Sequence, residues 1–304
     1  MTFNFVLTRV NDTTYTATDA DSGMVLKFTV VDAAAHTLKF TAISENPNNV
    51  TILDLTHFEE ASGQEWSVVT VGNSARNSVR KIVELRLPNS LEKIEWEVFS
   101  NDDGQSVTLT TVKPLMPKHL SSIGTHAFWK THITGDLVLS CKQLAEIGKE
   151  LFTDNAFSSV DMLNTSVTNI GAYAFANNPN LEKVILPATL NKVANYAFYN
   201  TKNLKQIYFA SGEIVKKLPV QFQTGCPDLG LRVYVPKSSD VWRYAKDNNW
   251  GKELTDSEKA TFEAAYPGEK LPLGKIKYPT STSDNWQYLC TWRPSNNRFV
   301  LICK

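Results

Sequence analysis

The chain has 304 residues, 42% hydrophobic and 20% charged, which is typical of a globular protein with a core rather than of a disordered chain. Lysine plus arginine and aspartate plus glutamate both number 31, so no basic excess favours a nucleic acid or an anionic membrane as partner. No apolar run reaches the ~18 residues of a membrane span, and the start, MTFNFVLTRVNDTTY, lacks the apolar segment of a signal peptide.

The first 49 residues are predicted to form a β-rich cap. The segments TYTATDADSGMVLKFTV and HTLKFTAI are interpreted as a polar-tipped hairpin or meander, because apolar and polar residues alternate around turn residues. Such strands are expected to cover the open end of whatever sheet follows them.

From about residue 50 onwards the chain repeats one nine-residue phrase. It reads LSSIGTHAF at Leu120–Phe128, VTNIGAYAF at Val167–Phe175 and LNKVANYAF at Leu190–Phe198. Successive landmark positions are 23, 29, 24, 23, 23 and 24 residues apart. A period of about 20 to 30 residues is typical of a solenoid, in which each unit buries its apolar edge against its neighbours. We number the repeats 1 to 7 by their landmarks, which are Arg76, Phe99, Phe128, Phe152, Phe175, Phe198 and Phe222.

A second phrase precedes most copies of the first and predicts a strand. Its clearest copy is LEKVILP at Leu181–Pro187, and IVELRLP, LKQIYF and LRVYVP follow the same pattern. The alternation of apolar residues is the period-two pattern of a strand with one buried face. The proline lacks a backbone donor and ends the strand. Each repeat is therefore expected to be a short strand, a turn, a second short segment and a return, and the stacked strands should form a parallel ladder.

Two columns of equivalent residues have a physical interpretation. The landmark phenylalanines are predicted to stack as a continuous aromatic spine, each burying about 150 to 250 Å². Glycine is frequent after the isoleucine of L-x-x-I, but Glu95 and Pro219 also stand there, so we attribute it to crowding between coils rather than to a left-handed backbone. The residues of this column are Gly72, Glu95, Gly124, Gly148, Gly171, Ala194 and Pro219.

Together these phrases resemble the BspA-type leucine-rich repeat family over roughly residues 50 to 250. The resemblance implies a mainly β fold with short irregular or helical returns: a right-handed leucine-rich-repeat solenoid with a parallel strand ladder, a β-rich N-terminal cap and a C-terminal helix plus hairpin. The segment YVPKSSDVWRYAKDNNW (Tyr234–Trp250) is similar to the strand, helix and tryptophan with which such arrays finish. The predicted boundaries are 1–49 for the cap, 50–236 for the solenoid, 237–264 for the capping helix region and 265–304 for a tail with a hairpin.

Three positions depart from the repeat. Arg76 replaces phenylalanine in repeat 1, and we interpret it as part of an end coil that meets solvent. Repeat 3 carries about six extra residues (29 − 23) between Phe99 and Phe128. Repeat 7 is one residue short between Leu218 and Phe222.

The four cysteines include no C-x-x-C pair, so the sequence predicts no zinc site. If Asn296 and Asn297 form a two-residue turn, the flanking strands pair so that positions sum to 593, which places Cys290 opposite Cys303 (290 + 303). That geometry permits a disulfide, and it equally fits two small apolar residues that face each other in a hairpin.

The candidate metal ligands are also interpreted as structural or surface residues. Three histidines, His119, His126 and His132, lie close in sequence but lack the spacing of a helical metal pair. The position of His126 is filled by varied polar residues in other repeats. The loops Asp19–Gly23 and Asp102–Gly104 resemble the start of a calcium loop, but neither has the glutamate that an EF-hand needs at its twelfth position. No G-x-S-x-G, P-loop or G-x-G-x-x-G is present. We therefore predict no catalytic residue, no metal and no cofactor.

The strands of the predicted ladder offer a surface for binding. If pairs such as Val184/Leu186 and Ile207/Phe209 point inward, the residue between them points outward. Large apolar or aromatic side chains are an unusual cost on a solvated sheet, and tyrosines are frequent interface anchors. They could equally form a cross-strand stack or be covered by the tail. Val138 shares this outward column with the predicted partner-binding residues, which are Arg86, Asp161, Ile185, Tyr208 and Tyr234.

Three functions follow as hypotheses. The first is a non-enzymatic binding protein that uses the solenoid face to hold a host or extracellular-matrix protein, with the cell-surface location implied by the family resemblance. The second is a glycan-binding accessory surface protein, motivated by Trp286, Trp292 and the tyrosines. The third is an intracellular scaffold, favoured by the absence of a signal peptide in this chain.

Overall fold

A computed structural model describes residues 2–101, 109–113 and 116–211, together with three later strands. These residues form a mainly β structure, with one short 3-10 helix at Asn73–Ala75. The N-terminal strands are β1 (Phe5–Asn11), β2 (Thr14–Asp19), β3 (Val25–Asp32), β4 (Thr37–Glu45), β5 (Ile52–Asp54), β6 (Phe58–Glu60) and β7 (Glu65–Val71).

The repeats supply the next strands, mostly in pairs. They are β8 (Glu84–Arg86), β9 (Lys93–Ile94), β10 (Thr111–Lys113), β11 (Ser122–Ile123), β12 (Thr134–Val138), β13 (Glu146–Ile147), β14 (Ala156–Asp161), β15 (Asn169–Ile170), β16 (Lys183–Leu186), β17 (Lys192–Val193) and β18 (Gln206–Phe209). The last three described strands are β19 (Leu231–Pro236), β20 (Trp286–Arg293) and β21 (Arg298–Val300).

The N-terminal strands close into a ring. Strands β1 to β4 form the predicted antiparallel meander, and β6 pairs with both β1 and β7 while β7 pairs with β4. The ring includes β6 and β7, so the strand pairings do not separate at residue 49. Its interior is aromatic: Phe28 contacts Phe58 at 4.7 Å and Phe40 at 5.8 Å between ring centroids. These side chains are fully buried because they occupy alternate positions of their strands.

Strand β7 joins the ring to the repeats. One edge pairs with β4, where Phe40 lies opposite Val71. Its other edge pairs first with β6, where Trp66 lies opposite Phe58, and then with β9, where Val71 lies opposite Ile94. The same strand therefore belongs to the cap and to the repeats.

The first strands of the described repeats form a parallel ladder, as the sequence predicts, and the second short segments of repeats 1 to 6 form another, which was not predicted. The front ladder contains the strands of the L-x-x-I-x-L phrase, in two groups: β5, β8 and β10, and then β12, β14, β16, β18 and β19. The rear ladder contains the strands of the L-x-x-I-G phrase, also in two groups: β7, β9 and β11, and then β13, β15 and β17.

Both ladders are interrupted between repeats 3 and 4. Among the described residues, no strand pairing links β10 to β12, and none links β11 to β13. The aromatic spine nevertheless continues across this joint, because Phe128 and Phe152 stack at 5.7 Å between ring centroids.

The predicted spine is present from Phe99 to Phe198. Neighbouring rings stack at 5.4 to 5.7 Å with interplanar angles of 6 to 16°. A buried column of asparagine and threonine follows the rings, and Asn178 there donates to the backbone oxygens of Phe152 and Phe175, both at 2.9 Å. The core of each repeat is thus an aromatic stack bordered by side chains that satisfy buried carbonyls.

The glycine column is explained by crowding, as predicted, at two positions. None of its glycines has a positive φ. A Cβ on Gly171 would lie 2.6 Å from the backbone nitrogen of Lys149, and one on Gly124 would lie 2.7 Å from the carbonyl carbon of Glu95. Gly148 differs, since a Cβ there would meet no atom within 4 Å.

The left-handed positions lie at residues that are not glycine. The residue two before each landmark phenylalanine has φ between 54 and 61°, and it is Glu97, His126, Glu150, Tyr173 or Tyr196. Two residues after the phenylalanine the same conformation recurs, with φ between 53 and 57°, at Lys130, Asp154, Asn177 and Asn200. The chain therefore turns its corner through paired strained residues around each ring.

Two expectations about the ends of the array need correction. Arg76 does not meet solvent: its side chain is only 22% exposed and pairs with Glu97 at 2.8 Å, because the cap covers repeat 1. In the C-terminal hairpin, Thr291 pairs with Val300 and Arg293 with Arg298, so positions sum to 591. This register is offset by two residues from the pairing of Cys290 with Cys303, and Cys303 lies outside the described residues.

Other predictions also fall outside the described residues. They concern the capping helix region 237–264, the tail before β20, Pro219 and Phe222, and the loop at Asp102–Gly104. Within the described residues, no helix is both long enough and apolar enough to cross a membrane.

Candidate functional site

The candidate site is the outward face of the front ladder, which we call the front face. Its strands alternate as predicted: Val184, Leu186 and Ile207 are fully buried, and the residues between them face outward. Because the ladder is parallel and in register, equivalent outward residues stand directly beside one another on neighbouring strands. The repeat thereby converts one strand position into a continuous column of side chains.

On repeats 1 to 3 the front face is a network of ion pairs. Arg86 binds Glu84 at 2.7 Å and Asp54 at 3.1 Å, and Lys113 binds Glu84 at 3.1 Å. Hydrogen bonds from Arg86 and Lys113 lower the pKa of Glu84, and the bond with Glu84 raises the pKa of Arg86. These charges satisfy each other within the sheet, so this part of the face offers few unpaired groups to a partner.

On repeats 4 to 7 the same column is largely apolar. Val138 is 57% exposed, and Asp161, Ile185 and Tyr208 follow it as half-buried residues on successive strands. The Lys183 ammonium lies 5.2 Å from the centre of the Tyr208 ring, within cation–π range. This strip of exposed apolar surface beside one cation has the composition of a contact surface.

The structure brings together some of the predicted partner-binding residues and separates one. Ile185 lies between Asp161 and Tyr208, and Tyr208 pairs in register with Tyr234. Arg86 lies on the other side of the joint, between Asp54 and Lys113. The predicted set is therefore not one site.

The tail strand β20 continues the front ladder at its edge. It pairs antiparallel with β19, and Tyr234 lies opposite Tyr288. A parallel ladder thus ends in two antiparallel strands, β20 and β21, which cover an edge that would otherwise have unpaired backbone groups.

The repeat pattern and the strand pairing agree with a comparison to known families. A family model described as "BspA type Leucine rich repeat region" matches residues 57–114 and 110–226 in six copies. The chain belongs to this family. No curated protein matches the chain significantly.

A solved structure shares the fold of this BspA-type chain. A leucine-rich repeat protein from Bacteroides ovatus ATCC 8483 superposes with a TM-score of 0.50 at 23% identity, covering 60% of this chain. The match spans 45% of that protein's length, and at this identity it shows the fold alone. A leucine rich cell surface protein from Faecalibacterium prausnitzii A2-165 matches with a TM-score of 0.31 at 11% identity, covering 64% of this chain and 70% of its own.

A second column of contacts runs along the corner of the BspA-type repeats. Its residues are those two before the landmark phenylalanine, and their left-handed backbone stacks them outward. Tyr173 and Tyr196 stack at 5.2 Å between centroids, and Tyr199 packs edge-on against both rings. His126 contacts Glu150 at 2.8 Å and Glu97 at 3.7 Å. This slot was predicted to be a variable surface slot, and the structure adds that its members contact each other.

The histidines considered from the sequence as metal ligands belong to no cluster of three potential ligands in the part of the chain that the structure describes. His119 is held by the backbone oxygen of Asn89 at 2.9 Å. Among the described residues, one cluster of three side chains could together hold an ion. It consists of His57 just before β6, Glu59 on β6 and Glu65 at the start of β7. Its side chains stand on the outer surface of the ring, His57 64% and Glu59 45% exposed, and exposed acidic groups of this kind are common without a metal.

The predicted turn at Asp19 is confirmed. Its carboxylate is buried and accepts bonds from the backbone nitrogens of Asn4 and Ser22, both at 2.9 Å. Burial raises the pKa of this carboxyl, but hydrogen bonds from Ser22 and Asn4 lower it by more, so the net pKa is lowered. The carboxylate therefore has protein hydrogen-bond donors within its turn and from Asn4.

Period-two alternation alone could have identified Lys183 as a front-face residue, because it is two residues from Ile185 on the same strand. The left-handed corners had a weaker signal, the asparagines and the aspartate two after the phenylalanine, which tolerate that backbone better than other residues.

Proposed function

We propose that the protein is a non-enzymatic binding protein that holds another protein on the front face of repeats 4 to 7. The observation that supports this is the strip of Asp161, Ile185 and Tyr208, which stand in register above fully buried neighbours. An interface core of this kind is enriched in aromatic and apolar residues, and tyrosine often carries much of the binding energy. Tyr234, next in register to Tyr208, extends the proposed surface by one strand.

The finer architecture and the location belong to the same proposal. We propose that the two ladders are sides of a right-handed solenoid, that a helix follows it near 237–264, and that the predicted domain division holds. Membership of the BspA-type family also supports a place at the bacterial cell surface, with adhesion to a host or extracellular-matrix protein as the role. A glycan is the alternative partner.

The test is a binding panel with a matched pair of variants. Purified protein is titrated against immobilised extracellular-matrix and host-surface proteins and against a glycan array. We expect saturable binding to a protein, weakened at least about tenfold by the double change Ile185→Ser and Tyr208→Ser, since each buried anchor contributes about 1 to 2 kcal/mol.

The control variant is Val6→Ser with Val10→Ser, which removes apolar residues that are 50% and 58% exposed on the cap instead. Equal losses for the two double variants would contradict a specific front-face site. Strong saccharide binding with no protein bound would replace the proposal with the glycan-binding alternative.

A further inference from the structure

The joint between repeats 3 and 4 is closed on one side. On the corner side, the Oδ1 atom of Asn155 accepts bonds from the Thr131 hydroxyl at 2.7 Å and the Ile133 nitrogen at 2.9 Å. Its Nδ2 atom donates to the backbone oxygen of Phe128 at 2.9 Å. With the stacked rings of Phe128 and Phe152, these buried bonds fix the two repeats to each other along one line.

The opposite side of the joint is open. Gly124 donates its N–H to Ile94 and Gly171 donates to Ile147, both at 2.8 Å, which are the rear-ladder bonds between adjacent repeats. No equivalent bond joins Gly148 to Ile123 in the described part of the chain. The space beside Gly148 agrees, because a Cβ there meets nothing within 4 Å, whereas Gly171 is crowded.

Backbone bonds between neighbouring repeats are also fewer at this joint than at the next interface, so its corner is held mainly by the side-chain bonds of Asn155. Between repeats 4 and 5 the corner is tied by Glu150, Phe152 and Asp154, whose N–H groups donate to the next repeat at 2.9 to 3.0 Å. Between repeats 3 and 4 only Lys130 donates in this way among the described residues, to Thr153 at 2.9 Å. In the front ladder, the described residues of the joint share one backbone bond, from Thr134 to Thr110 at 3.2 Å, at the start of the strands.

The sequence supplies a physical cause. In repeats 2 and 3 the turn after the front strand begins at a proline whose oxygen accepts from a leucine three residues on, Pro88 to Leu91 and Pro117 to Leu120, each at 3.2 Å. Arg86 is two residues before its proline, whereas Lys113 is four before its own. We attribute the open side of the joint to these two extra residues in the turn of repeat 3, whose other four extra residues (6 − 2) lie between Phe99 and β10.

We propose that this joint is a hinge: the cap with repeats 1 to 3 and the array from repeat 4 onwards bend relative to each other about the line through Phe128, Phe152 and Asn155. In an array of repeats each interface contributes separately to stability, so bending concentrates where neighbour bonds are fewest. The hinge sets the angle between the ion-paired and the apolar parts of the front face. It stands on the geometry of the joint and does not depend on the proposed partner.

The first measurement is amide hydrogen exchange of three matched glycines by NMR. Gly124, Gly148 and Gly171 occupy the same slot and are all half-buried. We expect the Gly148 amide to exchange at least about 100-fold faster than the other two, because local opening there breaks no rear-ladder bond. Equal protection of the three amides would overturn the open joint and the hinge with it.

The second measurement is the distance distribution between spin labels on exposed rear-ladder residues. The pair Lys93→Cys with Glu146→Cys spans the joint, and the pair Glu146→Cys with Lys192→Cys does not, although each covers two repeat steps. Cys226, Cys290 and Cys303 are replaced by serine, and the buried Cys141 is kept. We expect the pair across the joint to give a distribution about twice as wide. Equal widths would show a rigid gap and overturn the hinge, whatever the exchange rates are.

Discussion

The front ladder has the same backbone on the two sides of the joint and different surface chemistry. On repeats 2 and 3 its outward column is Arg86 and Lys113, whose charges are paired within the sheet. On repeats 6 and 7 the equivalent residues are Ile185 and Tyr208, which are partly exposed. The repeated phrase prescribes the buried positions, because every coil packs the same wedge against the next, and leaves the outward positions free to differ. The first segment is thus suited to connect the cap, and the second to bind.

The largest expected effect tests whether the spine supports both segments. Phe175→Ala should cost about 3 to 5 kcal/mol of unfolding free energy, as other buried phenylalanine truncations do. Phe175 stacks on two rings, whereas Phe99 stacks on Phe128 alone among the described rings, so Phe99→Ala should cost about 1 kcal/mol less. Chemical denaturation measures both. The exposed Val138→Ala is the control, with an expected change within about 0.5 kcal/mol, and equal midpoints for all three would mean that the assigned register is wrong.

The next largest effect tests the closed side of the joint. Asn155→Leu should cost about 2 to 3 kcal/mol, because it leaves the buried Ile133 N–H without its partner and removes one of the two bonds to the Phe128 oxygen. Asn203→Ala provides the comparison: this exposed amide also reaches the preceding repeat, at Pro179, but water replaces its bond. If denaturation curves show similar small losses for the two variants, the asparagine does not hold the joint.

The open side of the joint is tested by a single methyl group. Gly171→Ala should destabilise the protein by about 1 to 3 kcal/mol through overpacking against Lys149. Gly148→Ala should be neutral or stabilise by up to about 1 kcal/mol, because the methyl enters open space and restricts the unfolded chain. Thermal and chemical denaturation measure the stability of both variants. Equal destabilisation would mean that Gly148 at the joint is as crowded as Gly171 at the next interface.

The sequence predicted what the repeat prescribes. The inward pairs, the aromatic rings and the crowded glycines recur with the period of the coil, so the burial of Leu186 or Phe175 follows from pattern alone. The interruption at the joint did not follow, because the phrase in repeats 3 and 4 is intact, and we attribute the interruption to the length of one turn. The closure of the cap into a ring was not predicted either. It depends on β6, a strand of three residues, which is too short to show an alternating pattern in the sequence.

The candidate site was predicted in part. Alternation identified Ile185 and Tyr208 as outward residues, but the sequence could not show that Arg86 is satisfied by Asp54, a residue 32 positions away. Arg76 was misjudged because an arginine in an aromatic slot is typical of an exposed end, whereas here the cap covers that end and Glu97 neutralises the charge.

A smaller effect is expected from the charges that cross the joint. Burial raises the pKa of Glu150, but hydrogen bonds from His126 and Lys149 lower it more, so the net pKa lies below the ordinary value of a glutamate. A carboxyl with a lowered folded pKa stabilises the protein above the unfolded pKa, and this stabilisation is lost as pH falls through the folded pKa. Glu150→Gln should therefore cost about 1 kcal/mol near pH 6 and almost nothing near pH 3. Denaturation across this range measures it, and a cost independent of pH would contradict the assigned ion pair.

The smallest expected effect on stability concerns the residues proposed to bind. Ile185 and Tyr208 lie outside the core, and the Lys183 ammonium contact of the Tyr208 ring is worth about 0.5 to 1 kcal/mol at an exposed site. The double change to serine should therefore move the melting temperature by only a few degrees, as surface substitutions do. If the two residues were instead a structural stack covered by the tail, their loss would lower the melting temperature sharply and expose the tail to proteolysis.

Because the paired charges of Arg86 and Glu84 contribute to the sheet itself, Arg86→Ala should lower stability more than the double serine change does. The reverse order would mean that repeats 6 and 7, rather than repeats 2 and 3, carry the structural part of the face.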